Sequence, residues 1–436
     1  MNECPKMSES AKIDAEKPPR LSSEKTALVL FFLLVGCFFQ GTTYSQLTAF
    51  FNKYALIEKG LSSSQYGIIM GSYCFVIIFV TPMAAKLVTM RRFMDKTILF
   101  FGWVLDATFC MIMASVSKAA SGYPFFAASL CLRLLEAIGC AIGFFMLYII
   151  VGAELSEINY IIIPIIETVY GVSVVIGPAI SGVLYDYGGF SLPFLTLGGT
   201  LLGLTILALV IFPKPRPVLP DAANEKPPSM WSAVQGPIIV NVICSLNTFI
   251  LISFNESTLA LRLNEAFGMT ASESGFAFLY AGGLYAFSSL LLGYLSQRVA
   301  DPRFLVLFGQ VLIIVSLIIQ VPLIPSEQTR QKVYLAQILF GLGTGPTFVC
   351  SYLHSLKYLA NGAETKETYA VLSAIFAPMT ALGGTLGPLI AGVILDFYSY
   401  ETVVAVNTVQ TVIVMICLVV AIIVTRSSAS PKTPPV

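Results

Sequence analysis

Long apolar stretches alternate with short polar breaks along almost the whole chain. A helix that crosses a bilayer needs about 20 mostly apolar residues, and twelve segments meet that requirement. Their approximate bounds are 26–50, 65–89, 96–117, 123–152, 160–185, 191–212, 236–259, 273–297, 304–323, 332–357, 368–396 and 401–425. This pattern predicts an all-α integral membrane protein with twelve transmembrane helices.

A polar, proline-rich stretch separates the sixth apolar segment from the seventh. Its sequence, PKPRPVLPDAANEKPP, has no apolar periodicity and is typical of a linker. The predicted organisation is a tail over 1–25, a six-helix half over 26–212, a linker over 213–232, a second half over 233–425 and a tail over 426–436.

Lysine and arginine positions predict the orientation. With both tails and the linker in the cytoplasm, the cytoplasmic side carries eighteen of these residues and the other side six. Positive residues favour the cytoplasmic ends of membrane helices, so we expect both termini in the cytoplasm.

Composition narrows the class of protein. Hydrophobic residues make up 56% of the 436 residues and charged residues only 11%, against roughly 25% charged in soluble domains. This excludes a soluble enzyme, and a net charge of +1 gives no basis for nucleic-acid binding. With a single histidine and no phosphate-binding GxxxxGK loop, we expect no catalytic residue, cofactor or metal.

A short motif recurs half a molecule apart. GPAISGVLYD begins at Gly177 and GPLIAGVILD at Gly387, an offset of 210 residues. Both motif helices run in the same direction, so the halves form a parallel repeat. Small residues at i, i+4 and i+8 permit close helix packing, and each proline permits a bend. We expect hinges at the following positions, with plain packing seams as the alternative: Gly177, Pro178, Gly182, Gly387, Pro388 and Gly392.

Charged residues inside apolar segments are candidate functional groups, because a charge at mid-membrane costs about 2.5–3.5 kcal/mol. Arg133 and Glu136 are spaced i, i+3 on one helix face, and they could act in proton coupling or only as a structural ion pair. Glu167 and Glu256 are further candidates, with interfacial charges as the alternative. Asp106 has no obvious partner in the sequence and is expected to be structural or protonated.

Two uncharged residues complete the predicted substrate and coupling site. Tyr44 offers an aromatic face to a cation, with core packing as its alternative, and Asn247 is a plausible polar contact. Asn255 opens the sequon Asn-Glu-Ser, which lies too close to the membrane for us to predict glycosylation.

The chain after residue 25 resembles the major facilitator superfamily. Three segments show this resemblance: the glycine-proline signature of the fifth helix, LCLRLLEAIGCAIG in the fourth and GYLSQRVADPR after the eighth. The resemblance implies two six-helix halves around a central path lined by the first, fourth, seventh and tenth helices. It also implies gating loops, whose residues here are Arg91, Arg92, Gly293 and Arg298.

Within that superfamily the chain resembles the vesicular amine transporter family, and most of all its polyamine branch. The segments involved are TTYSQLTAFF, RLLEA, IETV, GVLYDYGGFSLPF and FNESTLALRL. Monoamine transporters of this family carry an aspartate in the first helix, where this chain has no acid. The resemblance implies a polyamine or related amine as substrate and a vesicular membrane, with the plasma membrane as the alternative.

Together these features predict a proton-coupled antiporter of a small organic cation that works by alternating access, as a monomer in the lipid bilayer. Lumenal acid would protonate Glu136 or Glu167 and release the cation. The alternatives are a transporter of a neutral or anionic solute and a transporter-like protein that moves nothing. Because Arg133 is the only cation within a helix, the sequence favours a cationic substrate.

Overall fold

The computed structural model describes residues 23–89, 95–155, 159–212, 235–321, 328–360 and 366–429. The predicted linker over 213–232 lies outside this part of the chain, as do residues 1–22 and 430–436 of the two predicted tails. All the elements within the described part are helical.

Twelve long helices make up the described structure. The amino-terminal half contains α1 (Ser23–Ser45), α2 (Ser63–Thr89), α3 (Asp95–Met113), α4 (Tyr123–Glu154), α5 (Asn159–Gly188) and α6 (Ser191–Ile211). The carboxy-terminal half contains α7 (Gly236–Phe267), α8 (Ala271–Ser296), α9 (Arg303–Gln320), α10 (Arg330–Ala360), α11 (Lys366–Phe397) and α12 (Tyr400–Ala429). All twelve are long and apolar enough to cross a membrane, which confirms the number of spans predicted from the sequence.

Helical turns continue beyond the first span, which ends at Ala49 as its apolar pattern predicts to within a residue. After α1 the chain continues through a 3-10 turn at Gln46–Ala49, a helical turn at Phe51–Lys53 and a π-helical turn at Tyr54–Glu58. Polar Gln46 and Asn52 are buried there, so the apolar pattern stops while the helical path goes on. Changes of helical pitch of this kind often mark strained or functional segments.

Local signals explain the tight turn between α7 and α8. Gly268 adopts a left-handed φ of 63° directly after α7, a conformation that glycine adopts without steric cost. Thr270 then caps α8, because its hydroxyl accepts from the amide of Glu273 at 3.2 Å. The Glu273 carboxylate accepts from the amide of Thr270 at 3.0 Å and completes a capping box.

Two faces of the bundle can be defined from the helix directions. The terminal face carries the start of α1 and the end of α12, and the distal face carries the short turns between α1 and α2 and between α7 and α8. Hydrogen bonds between the two halves lie near the distal face, where they involve Asn52, Ser63, Ser64, Asp186 and Asp396. The halves are therefore joined at the distal face.

Toward the terminal face the same helices expose their side chains. Phe79 and Met83 of α2 are 55% and 64% exposed, and Leu290 of α8 is 75% exposed. Glu167 and Thr168 of α5 are also exposed. Exposed apolar side chains of a membrane protein can face lipid, so it is the exposed polar residues Glu167 and Thr168 that indicate access from the terminal face, whereas the hydrogen bonds join the halves at the distal face.

Candidate functional site

A buried ion pair lies in the core of the amino-terminal half. Arg133 Nη1 is 2.9 Å from Glu136 Oε2, and each residue is 1% exposed. Arg133 Nη2 donates to the carbonyl oxygen of Tyr44 at 2.6 Å, and the guanidinium lies 4.1 Å from the ring centroid of Tyr73. The charge of Arg133 is thus balanced by Glu136 and packed against the ring of Tyr73.

Asp106 has partners that the sequence did not reveal. Its carboxylate accepts from Gln40 Nε2 and from the Thr43 hydroxyl, each at 3.4 Å. Trp103 Nε1 donates to Gln40 Oε1 at 3.0 Å and orients that amide. Asp106 also lies within electrostatic range of Glu136. Two fully buried carboxylates therefore share one guanidinium and a group of neutral donors.

Glycines bring α3 and α4 close enough to form this network. A Cβ atom at Gly102 would lie 2.6 Å from the backbone nitrogen of Gly143, and one at Gly143 would lie 2.8 Å from the Trp103 ring. Both distances are too short for a side chain, so the two helices pack backbone to backbone. The arginine-plus-glycine sequence of α4 thus places Arg133, Glu136 and Asp106 in one compartment.

Glu167 lies between the halves, toward the terminal face. It is exposed, and the Tyr148 hydroxyl donates to its carboxylate. Tyr285 of α8, in the other half, is within electrostatic range. No ion pair with a cation is found for Glu167 among the described residues. This carboxylate therefore has a hydroxyl donor and aromatic neighbours, but no counter-charge.

Glu256 is the second carboxylate between the halves. It belongs to α7, yet Tyr44, Tyr66 and Cys74 of the opposite half lie within its electrostatic range. The side chain is half-buried, and no described cation forms an ion pair with it. A half-buried carboxylate without a partner is costly, which marks Glu256 as a candidate binding group.

The two unpaired carboxylates lie at different depths. The Cys37 thiol meets the carbonyl of Ile166 at 3.7 Å, which places Cys37 level with Glu167. Tyr44, which neighbours Glu256, follows seven residues later in the same helix. At 1.5 Å per residue Cys37 and Tyr44 are about 10 Å apart along the axis of α1, so Glu167 and Glu256 lie on different levels between the halves.

Asn247 lies apart from these carboxylates. Its amide nitrogen donates to Thr411 at 3.4 Å, and its oxygen accepts from Gln410 at 2.8 Å. Both partners belong to α12, so in this conformation the side chain is engaged away from Glu167 and Glu256. Asn255 is 3% exposed and exchanges two hydrogen bonds with Gln337, which leaves the sequon inaccessible to a glycosylating enzyme.

The duplicated glycine motifs contact two different neighbours each. Gly177 packs on Thr42 and Ser45 of α1, and its counterpart Gly387 packs on Ser253 and Ile250 of α7. These contacts lie within one half. One turn further, past Pro178 and Pro388, Gly182 packs on the start of α8 and Gly392 on the start of α2, each in the opposite half. Contacts with the opposite half also occur before each proline, between Val175 and Gly282 and between Thr385 and Gly71. Each motif therefore packs within its own half on one helix face and against the opposite half on another.

The described residues include only two of the four residues predicted for the gating loops. Arg91 and Arg92 lie outside the described residues. Arg298 donates to the hydroxyl of Tyr294 and lies 4.9 Å from that ring, while Gly293 faces Val349. These contacts are local, and the gating role of the four residues stays a prediction.

Asp301, between α8 and α9, belongs to a charge cluster that the sequence analysis did not predict. Asp301 accepts from Arg303 at 2.8, 3.0 and 3.2 Å, and His354 Nε2 lies 4.0 Å away. Burial raises the pKa of Asp301, but hydrogen bonds from Arg303 outweigh burial and leave the pKa below its ordinary value. The cluster links the start of α9 to the end of α10 at the terminal face.

Comparisons with known proteins agree with this architecture. The model of the Major Facilitator Superfamily matches residues 26–363 and 239–436. The MFS-type transporter SLC18B1 of Mus musculus is 26% identical over 378 residues, which cover 84% of this chain and 79% of that protein. The Homo sapiens protein of the same name is 25% identical over 375 residues, with coverage of 84% and 79%.

Solved structures share the fold at low sequence identity. A bacterial homologue of the human lysosomal transporter Spinster, in an inward-facing and occupied conformation, superposes with a TM-score of 0.73 at 15% identity. That match covers 92% of this chain and 96% of the other. The nucleoside transporter NupG gives a TM-score of 0.71 at 10% identity and covers 90% and 98%.

The family match extends over far more than half of the chain, and the described helices include twelve candidate spans. It confirms the resemblance and the fold class expected from the sequence. The chain belongs to the major facilitator superfamily, and it is an integral, multi-pass membrane transporter of a small molecule rather than an enzyme.

Proposed function

We propose that the protein exchanges a polyamine or a related organic cation for protons across a vesicular membrane by alternating access. The observation that supports this most directly is the pair Glu167 and Glu256. Each carboxylate faces the opposite half without a cationic partner among the described residues. A transported cation would supply the missing charge, and a proton would do so when the cation leaves.

The spacing of these carboxylates favours a long cation over a monoamine. Cys37 and Tyr44, the α1 residues that mark their two levels, are about 10 Å apart along the helix axis, and the terminal nitrogens of an extended spermidine, nine bonds apart, are separated by about 11 Å. A monoamine would neutralise one carboxylate and leave the other unpaired. Tyr148 and Tyr285 next to Glu167 offer ring faces that attract an ammonium group.

The proposed cycle follows from the state that the structure describes. If the terminal face is cytoplasmic, as the charge bias predicts, the cation enters toward Glu167 and reaches Glu256. The halves then close over it and part at the distal face. Lumenal protons neutralise the carboxylates, the cation dissociates, and the protonated transporter returns. The buried Glu136 and Asp106 would sense the same protons through Arg133.

Uptake into liposomes tests this proposal. Purified protein in liposomes with an acidic interior should accumulate labelled spermidine. Glu167→Gln and Glu256→Gln should each reduce uptake by about tenfold or more, since each removes a charge-assisted contact. Glu265→Gln is the matched control, because Glu265 is an exposed carboxylate on the same helix as Glu256.

Each outcome has a distinct meaning. Uptake that requires the pH gradient and both carboxylates supports proton–polyamine exchange. Uptake that survives both substitutions would contradict the assigned site. Failure of wild-type protein to take up spermidine, together with uptake of a neutral solute such as a nucleoside, would replace the proposed substrate by the alternative class.

A further inference from the structure

Two aspartates at equivalent positions of the repeat link the halves at the distal face. Asp186 near the end of α5 and Asp396 near the end of α11 are 210 residues apart, as are the glycines of their motifs. Each carboxylate reaches the first backbone amides of a helix in the opposite half. The proposed transport site does not use either residue.

The first link joins α5 to α8. Asp186 Oδ2 accepts from the amide of Ser272 at 2.8 Å, and Oδ1 accepts from the amide of Ala271 at 3.3 Å. These amides belong to the first turn of α8, where backbone N–H groups have no partner within the helix. The carboxylate therefore acts as a cap that is supplied by the other half of the molecule.

The second link joins α11 to α2 in the same way. Asp396 accepts from the amide of Ser63 at 2.6 Å and from the amide of Ser64 at 3.2 Å. The hydroxyl of Ser64 also donates to this carboxylate. The positive end of the helix dipole adds to the attraction at both sites, and hydrogen bonds to a charged acceptor are stronger than neutral ones.

Glycines allow the carboxylates to reach these helix starts. A Cβ atom at Gly182 would lie 2.7 Å from the carbonyl carbon of Ala271, and one at Gly392 would lie 2.9 Å from that of Ser63. A neutral hydrogen bond between the halves runs nearby from Asn52 to the carbonyl of Ser257, at 3.3 Å. The aspartates thus supply the charged part of the contact.

We propose that Asp186 and Asp396 are paired positioning residues of the transport cycle. Together they hold the distal face shut and release together when it opens. Each half contributes one carboxylate and one helix start, so two rigid halves that rock apart must break both links in the same motion. The inference rests on the alternating-access part of the proposed function and is independent of the substrate.

Hydrogen exchange in the full-length protein, reconstituted in lipid nanodiscs, tests the proposal without any substrate. Asp186→Asn keeps the shape of the side chain but removes its charge. Exchange should rise about three- to tenfold at the amides of residues 271 and 272. It should also rise by a comparable factor at residues 63 and 64, which Asp186 does not contact. Asp396→Asn should produce the reciprocal result.

Glu273→Gln is the matched control. Glu273 also caps the start of α8, but it does so from within the same half. Faster exchange that stays within the first turn of α8 is therefore expected for this variant. Unchanged exchange in α4 shows that each variant is folded.

Faster exchange at the starts of both α2 and α8 in each aspartate variant supports the proposal that the two links open together. Exchange that rises only at the amides next to the substituted aspartate, as in the control, would overturn the proposal and leave the residues as local caps. Because exchange is measured without spermidine, a negative uptake experiment does not affect this outcome.

Discussion

The core of the amino-terminal half and the path between the halves treat acidic groups in opposite ways. In the core, Glu136 is paired with Arg133, and Asp106 is held by Gln40 and Thr43. Between the halves, Glu167 has only a tyrosine hydroxyl, and Glu256 has no hydrogen-bond donor among the described residues.

In the proposed mechanism, the acidic residues of the core stabilise the fold, whereas those between the halves bind a ligand. A buried carboxylate is tolerated when partners compensate its lost hydration. The core supplies those partners from the chain itself. Between the halves no such partner is found among the described residues, and we propose that a transported cation or a proton supplies it. Substitutions in the core should therefore affect stability most, whereas substitutions between the halves should affect binding.

The largest expected effect on stability comes from Arg133→Met. It leaves Glu136 and Asp106 without their cation and should cost about 3–5 kcal/mol of the free energy of unfolding. The double variant Arg133→Met, Glu136→Leu should recover part of this loss, since Glu136 no longer lacks its partner, while Asp106 keeps its donors Gln40 and Thr43. Thermal unfolding in detergent measures both variants, and a double variant as unstable as the single one would contradict the account.

A smaller loss is expected for Gln40→Leu. The substitution removes one donor to Asp106 and the acceptor of the Trp103 indole, and a buried group left unpaired costs about 1–3 kcal/mol. The midpoint of thermal unfolding should fall, and Trp103 fluorescence should change because the indole loses its hydrogen bond. An unchanged midpoint would show that Asp106 does not depend on this amide.

Glu167→Gln and Glu256→Gln should change the free energy of unfolding by no more than about 0.5 kcal/mol. Glu256→Gln should if anything stabilise the protein, because it removes a half-buried charge without a partner. The same unfolding assay measures these variants. A loss of stability as large as that of Arg133→Met would show that Glu167 and Glu256 stabilise the folded protein.

The smallest expected effect concerns Asp301 at the terminal face. Its pKa is lowered, so its ion pair stabilises the protein above the unfolded pKa, about 3.9. That contribution disappears as the pH falls through the lower folded pKa. Asp301→Asn should flatten the stability profile in this acidic range and leave the profile near pH 7 parallel to that of wild type. An unchanged acidic profile would contradict the assignment.

Sequence patterns predicted much of this architecture, because segment length, hydropathy and repeated motifs can be identified directly from the order of the residues. They gave the twelve spans, the two halves and the Arg133–Glu136 pair. They could not reveal that Gln40 holds Asp106, since 66 residues separate them. Asn247 faces α12 through contacts more than 160 residues distant. The cross-half links of Asp186 and Asp396 likewise depend on how the halves meet, although the repeat had singled out their positions.

Binding of a graded series of linear diamines tests the central claim most directly. Unlabelled diamines of increasing length compete with labelled spermidine on the purified protein without a pH gradient. The account predicts that affinity rises until the nitrogens are about 10 Å apart and then levels off. Glu167→Gln and Glu256→Gln should each abolish this dependence on length, and Glu265→Gln should preserve it. Equal affinity for short and long diamines in the wild type, unaffected by either path substitution, would contradict the claim that these two carboxylates bind the transported cation.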